Sequence, residues 1–460
     1  MKRLLNDTGS RICARFRSLV RDDGVHATLK TPSPPRKRGP NVVFQALSAA
    51  ALLWAVPSHA QAIAITGAKV HRVSGPVLEN ATVVISEGRI TAVGANLSIP
   101  AGARRIDAAG KWVTPGIFNA TTSLGVSEIG SVGGTNDTRA QGINDGVTAS
   151  FRVWEGFNPA SPLLQVTRND GITTVGVIPG GSLIGGQGAV VALRDGALRT
   201  VLLRSPAAMF ANLNARGQHI GSARAEVFQR FREVLDDARL LPRRRAEVER
   251  NASRPLAARR ADLEALQPVL SGNLPIIIDA DRATDIAQAL DFGRQYGMRV
   301  AVSGATEGWK VAEELGAAQA YVLVGALNNI PRDFSSLGAR QDNAALLHRA
   351  GARIVISGGS DAFNARNVKY EAGVAVAFGL PWEAALRAVT LTPAEMYGVA
   401  NRTGSLDVGK DATLVVWSGD PFELTTRAEH VFVQGIEVQG PSRQDELMRR
   451  YRTLPPDYRR

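Results

Sequence analysis

The chain has few of the two side chains, cysteine and histidine, that hold most zinc ions in proteins. Its one cysteine, Cys13, lies in a basic amino-terminal segment, so the rest of the chain offers no thiol for a disulfide, a nucleophile or a metal ligand. Beyond residue 62 the histidines are His71, His219, His348 and His430, and no two of them are spaced as a metal-binding pair. A zinc site held by histidine or cysteine is therefore not expected.

The chain also lacks an apolar run long enough to span a membrane, which takes about 20 residues. Its longest run, 42–56, has fifteen residues, follows Arg36-Lys-Arg38 and precedes small residues that suit signal-peptide cleavage. This order is typical of a secretory signal over about 36–62, with a retained membrane anchor as the alternative. We therefore expect an exported protein, periplasmic or secreted, with residues 1–62 outside its fold.

The positive charge of the chain is concentrated near its start. The formal net charge is +12, and residues 1–40 hold ten Lys and Arg against three Asp. Because the remainder is only mildly basic, the charge gives no reason to expect a nucleic-acid partner. With 460 residues and 44% hydrophobic content, the chain can bury one large core and a smaller satellite domain.

The order of apolar segments predicts an α/β fold. Short strand-like runs separated by turns occupy 63–112 and recur over 401–440, which predicts one small β-sandwich built from both ends of the mature chain. Between them, 113–400 alternates apolar strands with helical patterns and predicts a (β/α)₈ TIM-like barrel. The arginine-rich stretch 222–268 predicts inserted helices with a solvated charged face or a docking surface, and 441–460 a helical tail.

Several motifs follow one another in a fixed order and together resemble the amidohydrolase superfamily, near its imidazolonepropionase-like and prolidase-like branch. They are Val113-Thr-Pro-Gly116, Gly185-Gly-Gln-Gly188, Ala305-Thr-Glu-Gly308, Ser360-Asp361, Asn364-Ala-Arg-Asn367 and Thr403–Asp411. The resemblance covers most of 63–440. It implies a barrel with a metal site at the carboxyl ends of its strands, formed by His-x-His, two later histidines and an aspartate.

At most of the implied ligand positions this sequence has other residues. Thr121 and Ser123 stand in the His-x-His positions, and Gly304 stands where a later histidine is expected. Asp279 or Asp281 takes the place of the other histidine. These degenerate ligand positions predict that the chain does not hold a conventional zinc ion.

The residues that remain suggest two kinds of site. Asp361 matches the aspartate that binds metal and accepts a proton from water, so it is the candidate catalytic residue. Asp279, Asp281 and Asp361 are candidate ligands for one hard divalent cation, because oxygen-only sites suit Mg²⁺, Ca²⁺ or Mn²⁺. Alternatively, Asp279 and Asp281 pair with Arg282 or cap the helix that begins near Thr284.

Candidate substrate-binding residues come from two of the motifs. The glycine-rich stretch Gly180–Gly188 offers backbone N–H groups in a loop that could hold an anion or a carbonyl group, or it is a plain connection. The candidates are Gly185, Gly186, Gln187, Asn364 and Arg366.

Three functions are compatible with these residues. The first is an amidohydrolase-like exported protein with a degraded metal centre, which binds a small molecule or serves as a non-catalytic subunit beside an active relative. The second is a metal-dependent hydrolase that acts on C–N bonds, with Asp361 as general base. The third is an interaction protein that uses the basic helical insertion. The expected cofactor is none or one divalent cation, and the expected partners are a small molecule or another amidohydrolase chain.

Overall fold

The structure, a computed structural model, describes residues 61–140, 146–181, 183–215, 220–250, 254–327, 330–331, 334–438, 441 and 443–452. The predicted secretory signal, except for its last two residues, and His219 fall outside these ranges. Within them, every helix is too short or too polar to cross a bilayer.

The described elements are numbered in chain order. The strands are β1 (Ile63–Val70), β2 (Leu78–Ser86), β3 (Arg89–Gly94), β4 (Arg104–Asp107), β5 (Trp112–Pro115), β6 (Ile117–Thr122), β7 (Ile172–Val177), β8 (Ile184–Ala192), β9 (Leu202–Asn212), β10 (Ile276–Ala280), β11 (Val300–Gly304), β12 (Tyr321–Val324), β13 (Arg353–Ile356), β14 (Leu414–Trp417), β15 (Ala428–Val433) and β16 (Ile436–Glu437). The α-helices are α1 (Pro162–Asn169), α2 (Leu198–Val201), α3 (Arg224–Glu249), α4 (Arg260–Ala265), α5 (Gln267–Leu270), α6 (Ala283–Tyr296), α7 (Ala312–Ala317), α8 (Asn343–Arg349), α9 (Val368–Ala377), α10 (Trp382–Ala388), α11 (Leu391–Met396) and α12 (Arg443–Tyr451).

Strands β6 to β13 form a nearly closed barrel. They make one eight-stranded sheet in the order β13-β12-β11-β10-β9-β8-β7-β6, and the pairs from β9 to β13 are parallel. Central strands such as β10 are almost entirely apolar and buried, as expected for parallel strands covered on both faces. The two ends of the sheet meet where the amide of Ser123 donates to the carbonyl of Ser360 over 2.6 Å. The predicted TIM-like barrel is confirmed.

One barrel strand, β8, is antiparallel to both of its neighbours, β7 and β9. It follows β7 after a short turn, without an intervening helix, so it departs from the expected strand–helix repetition. The loop expected over 180–188 is therefore wrong for 184–188, which lies in β8. The glycines there allow close strand contact, since a Cβ on Gly188 would lie 2.7 Å from the carbonyl oxygen of Val177.

The second sheet is built from both ends of the described chain, as predicted. Its order is β16-β15-β14-β5-β1-β2-β3, with β4 paired to β1, so the strands form one continuous sheet rather than two. Strand β5 joins the two halves, because Val113 lies opposite Val416 in an antiparallel ladder. The sheet domain therefore extends to Pro115, past the expected boundary at 112.

The arginine-rich stretch 222–268 contains α3, α4 and the start of α5. Val227, Phe231 and Leu235 on α3 are fully buried in a cluster that includes barrel residues such as Ile278. Arg243 and Arg245, in contrast, are exposed. Helix α3 is thus packed onto the barrel through one apolar face, with Arg243 and Arg245 exposed to solvent.

Candidate functional site

A cavity of about 800 Å³ lies at the carboxyl ends of the barrel strands. Its volume is in the range of small-molecule sites, and this end of a barrel is where such sites are found. Most of the barrel strands contribute to its lining through residues at or just after their last position. Examples are Thr121, Asn212, Asp279, Gly304, Gly325 and Ser357.

Two carboxylates, those of Asp279 and Asp281, face this cavity from the end of β10. Asp281 accepts a hydrogen bond from the side-chain amide of Asn214 over 3.1 Å and another from the hydroxyl of Thr306. Among the described residues, no lysine or arginine forms an ion pair with either carboxylate. Neither the pairing with Arg282 nor the capping of α6 by these aspartates is observed. Arg282 is itself the N-cap of α6 and makes no side-chain capping bond, and the first amide of the helix, that of Ala283, donates to Glu307 over 3.2 Å.

Gly304, at the end of β11, lies between these two carboxylates. A Cβ at this position would be 2.7 Å from Oδ1 of Asp281 and 2.9 Å from Oδ1 of Asp279, both closer than real contacts allow. Its φ of +80° is also in the left-handed region that favours glycine. The space that a side chain at 304 would need is therefore taken by the carboxylates, which would have to move before a histidine could stand there.

In the carboxylate pair of Asp279 and Asp281, the pKa of Asp279 lies well above the usual range of an aspartate. Burial, followed by the negative charge of Asp281, raises the pKa of Asp279 to about 7, and the amide of Asn214 opposes this effect. Asp279 lines the cavity and is half-buried, so its remaining exposure is to the cavity. It therefore exchanges a proton near neutral pH.

The residues in the His-x-His positions hold the barrel ends together. The hydroxyl of Thr121, at the end of β6, forms a hydrogen bond with the hydroxyl of Ser357, which follows β13. The backbone amide of Thr121 donates to the side chain of Asn119 over 3.2 Å, and Asn119 donates to the carbonyl of Ala365 over 2.9 Å. Thr121 and Ser123 both line the cavity.

Two further acids lie on the β12–β13 side of the cavity. Asp361 is exposed in the lining and precedes a 3₁₀ helix over Ala362–Asn367, without a side-chain capping bond. Glu371, on α9, is buried, and one of its oxygens accepts the amides of Ala326 and Leu327 over 2.5 and 2.6 Å. Asp361 is therefore open to a ligand, whereas one carboxylate oxygen of Glu371 already fixes the segment after β12.

Of the candidate substrate-binding residues, Gly185 lines the cavity and the other four do not. The side-chain amide of Gln187 donates to the carbonyl of Ala149 over 3.0 Å, inside the barrel wall. The side chain of Asn364 accepts from Asn367. Arg366 lies 3.6 Å from Asp170, at the end of α1.

Sequence reasoning missed several residues of the site. Asn212, Arg139, Ser303 and Thr306 line the cavity, and Asn214 holds Asp281. Asn212 ends β9, a strand that the sequence pattern did not single out because a proline interrupts it at 206. For Ser303 and Thr306 the signal was available, since both flank the expected position of Gly304 after an apolar strand.

The histidines that the structure describes do not reach the cavity lining. His71 is buried against Trp112 and Trp382, with ring centroids 4.7 and 4.6 Å away, and neither ring nitrogen has a hydrogen-bond partner. Burial, followed by the charge of Lys69, lowers the pKa of His71 to about 4. His430 pairs with Glu437 over 2.6 Å, and His348 is exposed on α8.

The donors at this cavity do not fit a zinc ion. Within the described ranges, no three His, Cys, Asp or Glu side chains are grouped so that they could hold a metal. The cavity offers carboxylates and hydroxyls without imidazole, whereas zinc centres in proteins are built on nitrogen and sulfur ligands. The carboxylates of Asp279, Asp281 and Asp361 are instead donors of the kind that a hard cation such as Mg²⁺ takes together with water ligands.

The chain is similar to known amidohydrolases in sequence. The model of the amidohydrolase family matches residues 301–438. The chain is also 25% identical to the amidohydrolase tasK of Hapsidospora irregularis, over 77% of this chain and 39% of that protein. It therefore spans about two fifths of the length of this curated relative.

Solved structures show the same fold. An amidohydrolase from Thermotoga maritima MSB8 superposes with a TM-score of 0.74 at 25% identity, over 82% of this chain and all (100%) of that one. A molinate hydrolase superposes with a TM-score of 0.53 at 19% identity, over 82% of this chain and 95% of that one. The first likeness covers more of the chain than the family model does, and the second supports the fold alone.

Proposed function

Since the chain carries an amidohydrolase family domain, we propose that it is a small-molecule-binding member of that family whose cavity works without a histidine-held zinc ion. The proposal rests on one observation above all. The end of β11, where the resemblance places a histidine ligand, is Gly304, and the carboxylates of Asp279 and Asp281 fill the space that a side chain would occupy.

The rest of the cavity supports the same function. Its volume of about 800 Å³ suits a small organic ligand. Thr121, which stands in a histidine position, has its hydroxyl engaged with Ser357. The described lining has no imidazole, which is the usual ligand for the zinc ion that lowers the pKa of a bound water.

The test is the metal content of the purified full chain after dialysis, and again after incubation with Zn²⁺, Mn²⁺ and Mg²⁺ and removal of excess ion. We expect far less than one ion per chain under each condition. A zinc-dependent hydrolase carried through the same steps serves as the positive control. About one tightly held ion per chain would overturn the proposal.

A second function, hydrolysis of C–N bonds, is favoured by the acids around the cavity. Asp361 is open to the cavity, and Asp279 has a pKa of about 7, which suits proton transfer near neutral pH. The test is cleavage of dipeptides and cyclic amides with and without Mn²⁺ or Mg²⁺, comparing the wild type with Asp361→Asn. Cleavage that requires an added ion and is lost in Asp361→Asn would establish this function in place of the first.

We also propose that the protein is exported. This part of the proposal is supported by Arg36-Lys-Arg38 and the fifteen-residue apolar run 42–56 that follows them. Fractionation of cells that express the full chain, followed by amino-terminal sequencing, tests it. We expect a processed chain that begins near residue 62 in the exported fraction, and an unprocessed chain in the cytoplasm would contradict export.

A further inference from the structure

The cavity has an imbalance of charge. Asp279, Asp281, Asp361 and Glu371 all line it, whereas Arg139 is the one cationic side chain among the described lining residues. Glu371 has one oxygen committed to two backbone amides, which leaves three acids open to a ligand. A concave, partly desolvated surface of one sign attracts ligands of the opposite sign.

The pair at the end of β10 is the centre of this imbalance. Oδ1 of Asp279 and Oδ1 of Asp281 lie 2.9 and 2.7 Å from the position that a Cβ of residue 304 would take. Asp281 accepts three neutral donors, the side-chain amide of Asn214 and the backbone amide and hydroxyl of Thr306, but forms no ion pair with a described cation. Two close carboxylates without a counter-ion repel each other, and a bound cation would relieve this repulsion.

Based on these contacts, and resting on the proposed small-molecule function, we propose that the cavity selects an organic cation, whose ammonium group is seated against Asp279 and Asp281. An ammonium group has three donors and needs two or three oxygen acceptors. The two carboxylates supply them, with the hydroxyl of Ser303 beside Asp279 in the strand register. A Mg²⁺ or Ca²⁺ ion would use the same two carboxylates with added water ligands, so a metal ion and an ammonium group would compete for this position.

The remainder of the lining indicates an apolar body for this ligand. Ile178, Phe210, Ile277 and Leu323 line the cavity, and Ile330, which is 53% exposed, adds an apolar side chain that is open to solvent. A ligand with an amine at one end and a ring or chain at the other therefore matches both parts of the cavity.

The experiment compares three probes of similar size that differ in charge: phenethylamine, 2-phenylethanol and 3-phenylpropionate. Their affinities for the full chain are measured by calorimetry at pH 8 and low salt. We expect the amine to bind at least about tenfold more tightly than the alcohol, equal to about 1.4 kcal/mol, and the carboxylate to bind least. We expect Asp281→Asn and Asp279→Asn each to remove most of the preference for the amine.

Control measurements separate this inference from the proposed function. Glu314→Gln, an exposed acid on α7 away from the cavity lining, should keep the preference for the amine. Equal binding of amine and alcohol, tighter binding of the carboxylate, or no binding of any probe would overturn the inference. Because the proposed function is judged by metal content, such results leave it standing. Competition between the amine and a stoichiometric divalent ion would overturn both.

Discussion

The hydroxyl of Thr121 and the hydroxyl of Ser357 are hydrogen-bonded to each other across the junction between the first and last strands of the barrel. Thr121 ends β6 and Ser357 follows β13, and the two strands share no ladder of backbone hydrogen bonds among the described pairings. A position that the resemblance assigns to a metal ligand is thus used to join the ends of the sheet.

Thr121→Val tests this contact. Valine has nearly the same shape but no hydroxyl, so Ser357 loses its partner and we expect the free energy of unfolding to fall by about 1 kcal/mol. Urea unfolding at pH 7 measures the change. Thr425→Val, at an exposed threonine, is the control and should change stability by less than about 0.5 kcal/mol. An unchanged stability in Thr121→Val would mean that the contact contributes nothing to barrel closure.

Gly304→Ala tests the packing between β11 and the carboxylate pair. Gly359 is the matched control, because its φ of +81° equals that of Gly304 closely and a Cβ there would meet nothing within 4 Å. We expect Gly359→Ala to lose about 1–2 kcal/mol through left-handed strain alone, and Gly304→Ala to lose about 2–5 kcal/mol because of the added collision.

A companion variant identifies the source of the larger loss. In the Gly304→Ala background, Asp281→Ala removes the carboxylate that a Cβ would approach to 2.7 Å, so part of the stability should return. Urea unfolding of the four chains gives the coupling energy. Equal losses in Gly304→Ala and Gly359→Ala would show that the carboxylates do not restrict this position.

The barrel could be predicted from sequence because most of its strands are short, largely apolar and separated by helical patterns. Asp279, Asp281 and Asp361 could also be placed at the cavity, since each lies at the end of such a strand or within five residues after it. These inferences need only the local pattern and the rule that strand ends meet at one face of a barrel.

The remaining features depend on contacts between distant parts of the chain. Strand β8 runs in reverse, and nothing in its apolar, glycine-rich sequence distinguishes a reversed strand from a loop. Arg366 was expected in the site but lies beside Asp170, because the turn that follows Asp361 directs it toward α1. Asn214, two residues after the end of β9, donates to Asp281, which is 67 positions later in the chain, and no local pattern reveals this contact.

His71→Phe tests the buried histidine. Its pKa is lowered from 6.5 to about 4, so between these values the unfolded chain binds a proton that the folded chain does not. Stability should therefore fall as pH falls from 6.5 toward 4, and His71→Phe should flatten this part of the profile. Because neither ring nitrogen has a partner, phenylalanine should also be tolerated between Trp112 and Trp382.

The control for the histidine is His348→Gln, at an exposed position on α8. The melting temperature of the three chains is measured at intervals from pH 4 to pH 8. His348→Gln should follow the wild type throughout. If His71→Phe shows the same fall at acidic pH as the wild type, the acid sensitivity arises elsewhere.

Asp279 should make the protein less stable as pH rises, which is opposite to the effect of His71, and Asp279→Asn tests this. The pKa of Asp279 is raised from 3.8 to about 7, so between these values the folded chain holds a proton that the unfolded chain has released. Stability from this group is present at low pH and is lost as pH rises through 7. Asn resembles the protonated acid, so the variant should melt above the wild type at pH 8 and close to it at pH 4, with Glu314→Gln unchanged at both.

Glu371 positions the cavity segment that follows β12. One of its oxygens accepts the backbone amides of Ala326 and Leu327, and its side chain is buried on α9, so removing the charge weakens two hydrogen bonds at once. In Glu371→Gln we expect faster amide exchange at 326 and 327, by at least about tenfold, because each charge-assisted bond contributes about 1.5–3 kcal/mol. Hydrogen exchange read by mass spectrometry measures this, with Glu314→Gln as the control. Exchange as slow as in the wild type would mean that other contacts hold the segment, whereas faster exchange confined to it would show that a helix outside the barrel sets the shape of the cavity wall.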